Sequence, residues 1–244
     1  MKHLRLGAAV VLAVVAAGAV VSALPRERTI ATYATTLAGR TGAQRHNARL
    51  ALEKINGARI APGEVFSFND RVGTFSRDRG YRRAPVSYNG QLIDDWGGGV
   101  CQASTTLYNA ALLSGMAIVE RHRHQFQPSY VPPGRDAAVA FSNIDLRFQN
   151  PYDFPVTVEA KIVSGIIRVS IVASRDLPTK PQVYSRVIES AAPSTFRTGE
   201  GNRSRMRNSG KRGWEVAVYR TTGDKTVMVS KDTYPVMHRV IENK

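Results

Sequence analysis

The stretch "GGGVCQASTTLYNA", residues 97–110, carries the strongest chemical signal in the chain and holds its single cysteine, Cys101. Three glycines precede it. Ala103, Leu107, Ala110, Ala111 and Ser114 then recur at helical spacing up to Gly115, which predicts a helix over Val100–Ser114. Glycine opens backbone conformations closed to other residues and lets a ligand approach the main chain, so Gly98 and Gly99 are candidate substrate contacts. A thiol in the first turn of a helix meets unpaired N–H groups and the positive end of the dipole, which favour the nucleophilic thiolate. The same N–H groups can receive an oxyanion, with Gln102 as a candidate further donor. Ser104, Thr105 and Tyr108 share the face of Cys101 and are candidate lining residues.

A thiolate nucleophile needs a base that later protonates the leaving group. "ERHRHQF" offers two. If 117–126 is a strand, His122 and His124 point to one face and Arg121 and Arg123 to the other. Asp136 and Asp145, in "GRDAAVAFSNID", are candidates for the acid that orients the imidazole. The order Cys–His–Asp, thiol on a helix and imidazole on the following sheet, is that of papain-like and transglutaminase-like enzymes. A second reading uses Cys101, His122 and His124 as three zinc ligands with one open position. A third makes Cys101 a buried structural residue of a binding module. Thiol chemistry leads, because a metal ligand needs neither the glycines nor the helix terminus, and it requires no cofactor.

The compartment bears on this choice. Lys2 and Arg5 precede an uncharged run from Leu6 to Leu24, and Val21-Ser22-Ala23 supplies small residues for cleavage. Residues 1–25 are therefore expected to be a signal peptide or an N-terminal membrane anchor, placing the remainder outside the cytoplasm. There cysteines usually pair, so a lone one stands out. The net charge of +15 favours anionic surfaces such as phospholipid head groups or phosphate-bearing wall polymers. Export argues against nucleic acid. Oligomeric state is not legible.

The elements that must position these residues follow from pattern. Residues 26–42, polar and rich in Thr and Ala, are expected to be a spacer. Ala48, Leu50, Ala51, Leu52 and Ile55, followed by Gly57, predict an amphipathic helix over 43–56. A short strand is expected at Val65–Phe68, and Asn89-Gly90 predicts a hairpin between "PVSY" and "QLI". After Gly115 the period changes to two, and "AIVERHRHQFQ", "AAVAFS", "IDLRFQN", "PVTVEAKIV" and "IIRVSIVAS" are expected strands. Residues 193–213 carry Arg197, Arg203, Arg205, Arg207, Lys211 and Arg212 against Glu200 and are expected to be a long mobile basic loop. The expected class is α+β: the cysteine helix packed on a mainly antiparallel sheet, over 43–176, with a β-rich C-terminal segment over 177–244.

"PGEVFSFNDRVG", "GGGVCQASTTLYNAAL", "ERHRHQ", "YVPPGRDAAVAFSNIDLRFQNP" and "PVTVEA" together resemble the VanW family, named after an accessory protein of vancomycin-resistance clusters. The resemblance covers roughly residues 28–175. It implies a bacterial, exported or membrane-anchored protein of the cell envelope, with peptidoglycan or an anionic wall polymer as partner. The family pattern falls on Gly97 to Gly99, Cys101, Gln102, Ser104, Thr105, Tyr108, Asn109, Arg121, His122, His124, Gly134, Arg135, Asp136, Asp145 and Asn150, which adds Arg135 to the candidate substrate contacts. The combined expectation is a thiol-dependent hydrolase or transferase acting on peptide or amide bonds of peptidoglycan. The alternatives are a non-catalytic wall-binding module and a metal-dependent hydrolase.

Overall fold

The structure, a computed structural model, describes residues 27–88, 91–141 and 143–244. The leader at 1–25 and the Asn89-Gly90 turn lie outside the described residues. Among those described, no helix is long and apolar enough to cross a membrane.

Strands dominate. They take up 45% of the described residues and helices 17%, which overturns the expected α+β class in favour of a mostly β protein. A four-stranded antiparallel sheet runs in the order β1 (Arg28–Thr36), β9 (Ile166–Ala173), β8 (Val156–Val163), β2 (Arg59–Ile60). A smaller antiparallel sheet joins β3 (Val65–Ser67), β7 (Arg147–Gln149) and β6 (Ala117–Glu120), and β4 (Arg83–Tyr88) pairs with β5 (Gln91–Trp96) as a hairpin. The C-terminal segment forms two further sheets. One is β10 (Gln182–Ala191), β13 (Gly213–Thr222), β14 (Lys225–Tyr234); the other is β11 (Thr195–Thr198), β15 (Arg239–Asn243), β12 (Ser204–Asn208), with β11 parallel to β15.

Two expectations fail for one physical reason. The supposed spacer contains β1, and the supposed mobile loop contains β11 and β12. β1 reads RTIATYATT, in which Thr and Ala alternate where larger apolar residues would signal a strand. β-branched threonine still suits the pleated surface, and the β9 ladder satisfies its backbone. β12 is exposed from Ser204 to Arg207 and has no apolar pattern to read.

The helices match their patterns. In α1 (Gly42–Ile55), Thr41 and Gln44 form a reciprocal capping box, and Asn47, Ala48, Ala51, Leu52 and Ile55 are buried. The short α2 (Phe68–Val72) begins at the last residue of the strand expected over Val65–Phe68. The cysteine helix, α3 (Val100–Leu113), is enclosed rather than laid on one sheet: β1, β9, β6, β10 and α1 all contact it. Every residue from Gln102 to Leu112 is buried. Its polar side chains must therefore bond internally. Thr106 donates to the Gln102 carbonyl at 2.7 Å, and Asn109 to the carbonyls of Thr105 and Arg135, each at 2.7 Å. Leu107, Leu112, Ile167, Val169 and Ile171 meet in the core, each contributing roughly 1.5–3 kcal/mol by burial.

Candidate active site

The glycine run bends the chain into α3 where little space exists. Gly99 has φ 108°, and a Cβ there would stand 2.3 Å from the Gln44 carbonyl oxygen of α1. At Gly98 a Cβ would meet the Pro85 carbonyl at 2.8 Å. Both glycines line a cleft of about 770 Å³ that also contains Cys101 and His124. The close packing of backbone on backbone explains them, beyond any contact with substrate.

Cys101 follows at once, partly exposed, with its thiol donating to the Val139 carbonyl at 3.4 Å. Its own N–H has no acceptor among the described residues, whereas the neighbouring N–H groups of Val100 and Gln102 bond to Gly97 and Gly99. That free donor lies beside the sulfur, where an oxyanion formed by attack would develop.

The imidazole arrives by a local register. β6 stops at Glu120, and the chain continues as an irregular segment joined to 136–140 by an isolated antiparallel bridge, His122 to Ala138. Two residues further along that register, His124 faces Asp136. Asp136 Oδ2 accepts from His124 Nδ1 at 2.7 Å and from the His124 backbone N–H at 2.7 Å. With Nδ1 so committed, Nε2 is the ring nitrogen left to serve Cys101, and the two residues line the same cleft.

The three groups tune one another. Burial alone would raise the Cys101 thiol, but the hydrogen bond and charge of His124 hold it below its ordinary range. Burial alone would lower His124; its interactions with the Asp136 carboxylate and the Cys101 sulfur outweigh this and bring it to about 9. Burial would raise Asp136, and the His124 hydrogen bond, then the Arg121 charge, bring it to about 2. The arrangement keeps His124 an imidazolium at neutral pH and makes a thiolate beside it easier to form.

Asp136 is fully buried and needs further partners. Arg121 NH2 donates to Oδ1 at 3.0 Å, and the Tyr234 hydroxyl donates to the same oxygen. Arg121, with its side chain 5% exposed, also donates to both oxygens of Asp232 at 2.7 Å. The face assigned to Arg121 by strand alternation, away from the histidines, is thus corrected: it is a buried hub, because regular alternation ends at Glu120.

Of the other residues singled out by sequence, several have structural contacts. His122 pairs with Glu120 at 2.9 Å on the half-exposed outside and does not join Cys101 and His124. The three-ligand zinc set is therefore not assembled, and the described residues contain no other cluster of three or more His, Cys, Asp or Glu suited to a metal. Asp145 accepts from Ser67 Oγ at 2.5 Å and from the N–H groups of Asn69 and Leu146, pinning α2 to β7 instead of orienting a histidine. Gln102 borders the cleft, but its amide donates to the Thr36 carbonyl and accepts from Arg40, leaving no donor aimed at Cys101. Ser104 and Thr105 both bond to Ala137, Tyr108 is buried under Arg121, and Arg135 is buried against Asn109. These four hold the floor of the site.

Sequence reasoning missed Tyr234, Asp232 and Arg40. Nothing local marks the first two, which reach Asp136 and Arg121 from β14, about a hundred residues away in sequence. Tyr130, another cleft residue, donates to the Cys101 carbonyl at 3.4 Å; burial, then the Cys101 charge, push its phenol up and keep it protonated.

Fold and site together define a mostly β protein with a cysteine, an imidazole and a buried carboxylate in series at a helix start. Residues 43–172 match the family model described as VanW like protein, and the chain belongs to that family. It is 39% identical over 159 residues to the uncharacterized protein YoaR of Bacillus subtilis, covering 64% of this chain and 52% of that one. It is 34% identical over 112 residues to the vancomycin B-type resistance protein VanW of Enterococcus faecalis, covering 44% and 41%. The chain thus spans about half or less of the length of these relatives. No solved structure matches. Cys101, His124 and Asp136 lie within the matched region; Arg40, Lys211, Asp232 and Tyr234 lie outside it.

Proposed function

We propose that this protein is an exported thiol-dependent acyl-transfer enzyme of the cell envelope, a hydrolase or transferase acting on amide bonds of peptidoglycan peptides. The alignment of Cys101, His124 and Asp136 carries the reading. The Cys101 thiolate adds to the amide carbonyl, and the oxyanion takes the Cys101 N–H. The His124 imidazolium gives its proton to the leaving amine as the C–N bond breaks, leaving a thioester on Cys101. Water or an acceptor amine then attacks the thioester. His124 takes the incoming proton, and the thiolate departs. Asp136 keeps the imidazole in one orientation throughout. The envelope setting is supported by the leader-like residues 1–25 and by the vancomycin-resistance name of one relative.

Residues 26–244 incubated with purified peptidoglycan should alter the fragment profile seen by mass spectrometry and carry an acyl adduct on Cys101. Cys101→Ala should lose both. A folded wild-type protein that yields neither product nor adduct across a panel of wall peptides would sink the enzymatic reading.

A second reading, a non-catalytic binder of anionic wall polymer, is favoured by the exposed Arg203, Arg205 and Arg207 along β12. It is tested by sedimentation with walls, which should weaken with salt and survive Cys101→Ala.

A further inference from the structure

Besides Arg207 and His124, two cations share the cleft with the nucleophile, Arg40 and Lys211, and neither has a counter-ion among the described residues. Arg40 enters from the turn between β1 and α1. Its Nε donates to Gln102 Oε1 at 2.9 Å, and its guanidinium carbon stands 5.0 Å from the centre of the Tyr130 ring. Lys211 lines the same cleft from the C-terminal segment. Reciprocal backbone hydrogen bonds with Met237, at 2.7 and 3.0 Å, fix its main chain at the cleft edge. Among the described residues no ion pair involves Arg40 or Lys211, whereas Arg207, which also lines the cleft, is matched by Glu242 at 2.8 Å. Loss of solvent and then the Arg40 charge hold the Lys211 ammonium below its ordinary range, so the two cations feel each other. Like charges facing one cleft are unfavourable until an anion enters between them. Arg40 is held through Nε by Gln102 and by the Tyr130 ring, which leaves its two terminal nitrogens to donate to a planar carboxylate.

We infer that the cleft beside Cys101 contains an anion subsite, formed by Arg40 and Lys211, that seats a carboxylate of the peptide substrate. This rests on Cys101 being the nucleophile. A peptide carboxylate is favoured over a phosphodiester because the subsite shares its cleft with a thiol placed to attack a carbonyl. The subsite would select peptides with a free carboxylate near the scissile amide and reject their amidated counterparts. It would also give the C-terminal segment a part in choosing substrate.

The test uses protection of Cys101 from iodoacetamide, followed by mass spectrometry on residues 26–244. The protectants are N-acetyl-alanyl-alanine, its C-terminal amide, and glycerol 3-phosphate. The acid should protect at a concentration at least about tenfold lower than the amide, a preference equal to about 1.4 kcal/mol. Lys211→Gln should erase that preference and Lys211→Glu reverse it, while Lys161→Gln, exposed on β8 and outside the cleft lining, should retain it. Equal protection by acid and amide, or protection by neither, overturns the subsite. Protection by glycerol 3-phosphate alone overturns the peptide assignment. If Cys101 reacts no faster than an ordinary thiol in the absence of any protectant, the nucleophile reading falls and the subsite with it. Rapid alkylation without acid preference removes the subsite alone.

Discussion

The stretch from Gly97 to Ala140 and the C-terminal segment beyond Leu177 contribute to one site in different ways. The first supplies every group proposed to react, within a short span whose motifs are dense and local. The second supplies what surrounds them: Tyr234 and Asp232 brace Asp136 through direct and Arg121-mediated bonds, and Lys211 and Met237 form a wall of the cleft. The family match covers the first and stops before the second. Reacting groups are legible from neighbours in sequence; the surroundings that tune them come from strands brought close only by folding.

The comparison can be broken first at the histidines. His124→Ala should lower turnover by roughly 10²–10⁴-fold, the usual worth of a positioned acid–base group, and His122→Ala should leave it near wild type. Alkylation against pH gives a second readout. In wild type the thiol should titrate below its ordinary 9.0; without His124, burial is left unopposed and the titration should rise. The same histidine contributes stability. Its folded value of about 9 exceeds the ordinary 6.5, so that contribution is full below about 6.5 and fades as pH rises through 9. Equal losses at His122 and His124 would refute the assignment.

A smaller but large effect is expected at the hub joining the two regions. Arg121→Met leaves Asp136 and Asp232 buried without their cation and should cost about 3–5 kcal/mol in urea unfolding. Asp136 also has a pH signature of its own. Held at about 2 against an ordinary 3.8, it contributes stability above about 3.8 that is lost as pH falls through 2. A variant with wild-type stability would show that the two regions are not coupled through Arg121.

The smallest expected effect sharpens the role of the distant segment. Tyr234→Phe removes the hydroxyl that donates to Asp136 and accepts from Gly134, at a cost of roughly 1–3 kcal/mol. If Tyr234 positions the carboxylate, the Cys101 titration should also move upward as His124 loses its fixed orientation. A stability loss with an unmoved titration would mark Tyr234 as structural only.

The legible parts of the molecule share a physical basis. α1 and α3 have helical spacing and a glycine just beyond the last turn, and both lie where those signals place them. Cys101, His124 and Asp136 were all among the candidates. Choosing His124 over His122, and Asp136 over Asp145, required the single bridge at His122–Ala138, a pairing with no sequence mark. Ser104, Thr105, Tyr108 and Arg135 were misjudged because sharing a helix face or a family pattern with a nucleophile does not distinguish a cleft from a core. In an enclosed helix, polar residues are equally needed to satisfy buried carbonyls. The mostly β class was hidden because β1 and β12 are built largely of Thr, Ala, Ser and Arg, and β10 exposes Tyr184, Val187 and Ile188, so their strand character comes from pairing rather than from apolar alternation.

The placement of β15 has a consequence for the order in which the protein becomes competent. This strand, Arg239–Asn243, follows β11 and β12 in the chain, yet it is the centre of their sheet, and the two do not pair with each other without it. Until it emerges, the cleft lacks the wall that carries Lys211, and a nascent chain already containing Cys101, His124 and Asp136 has no finished place to hold a substrate. Synthesis direction thereby acts as a delay. The thiol is made before the strands that furnish its cleft.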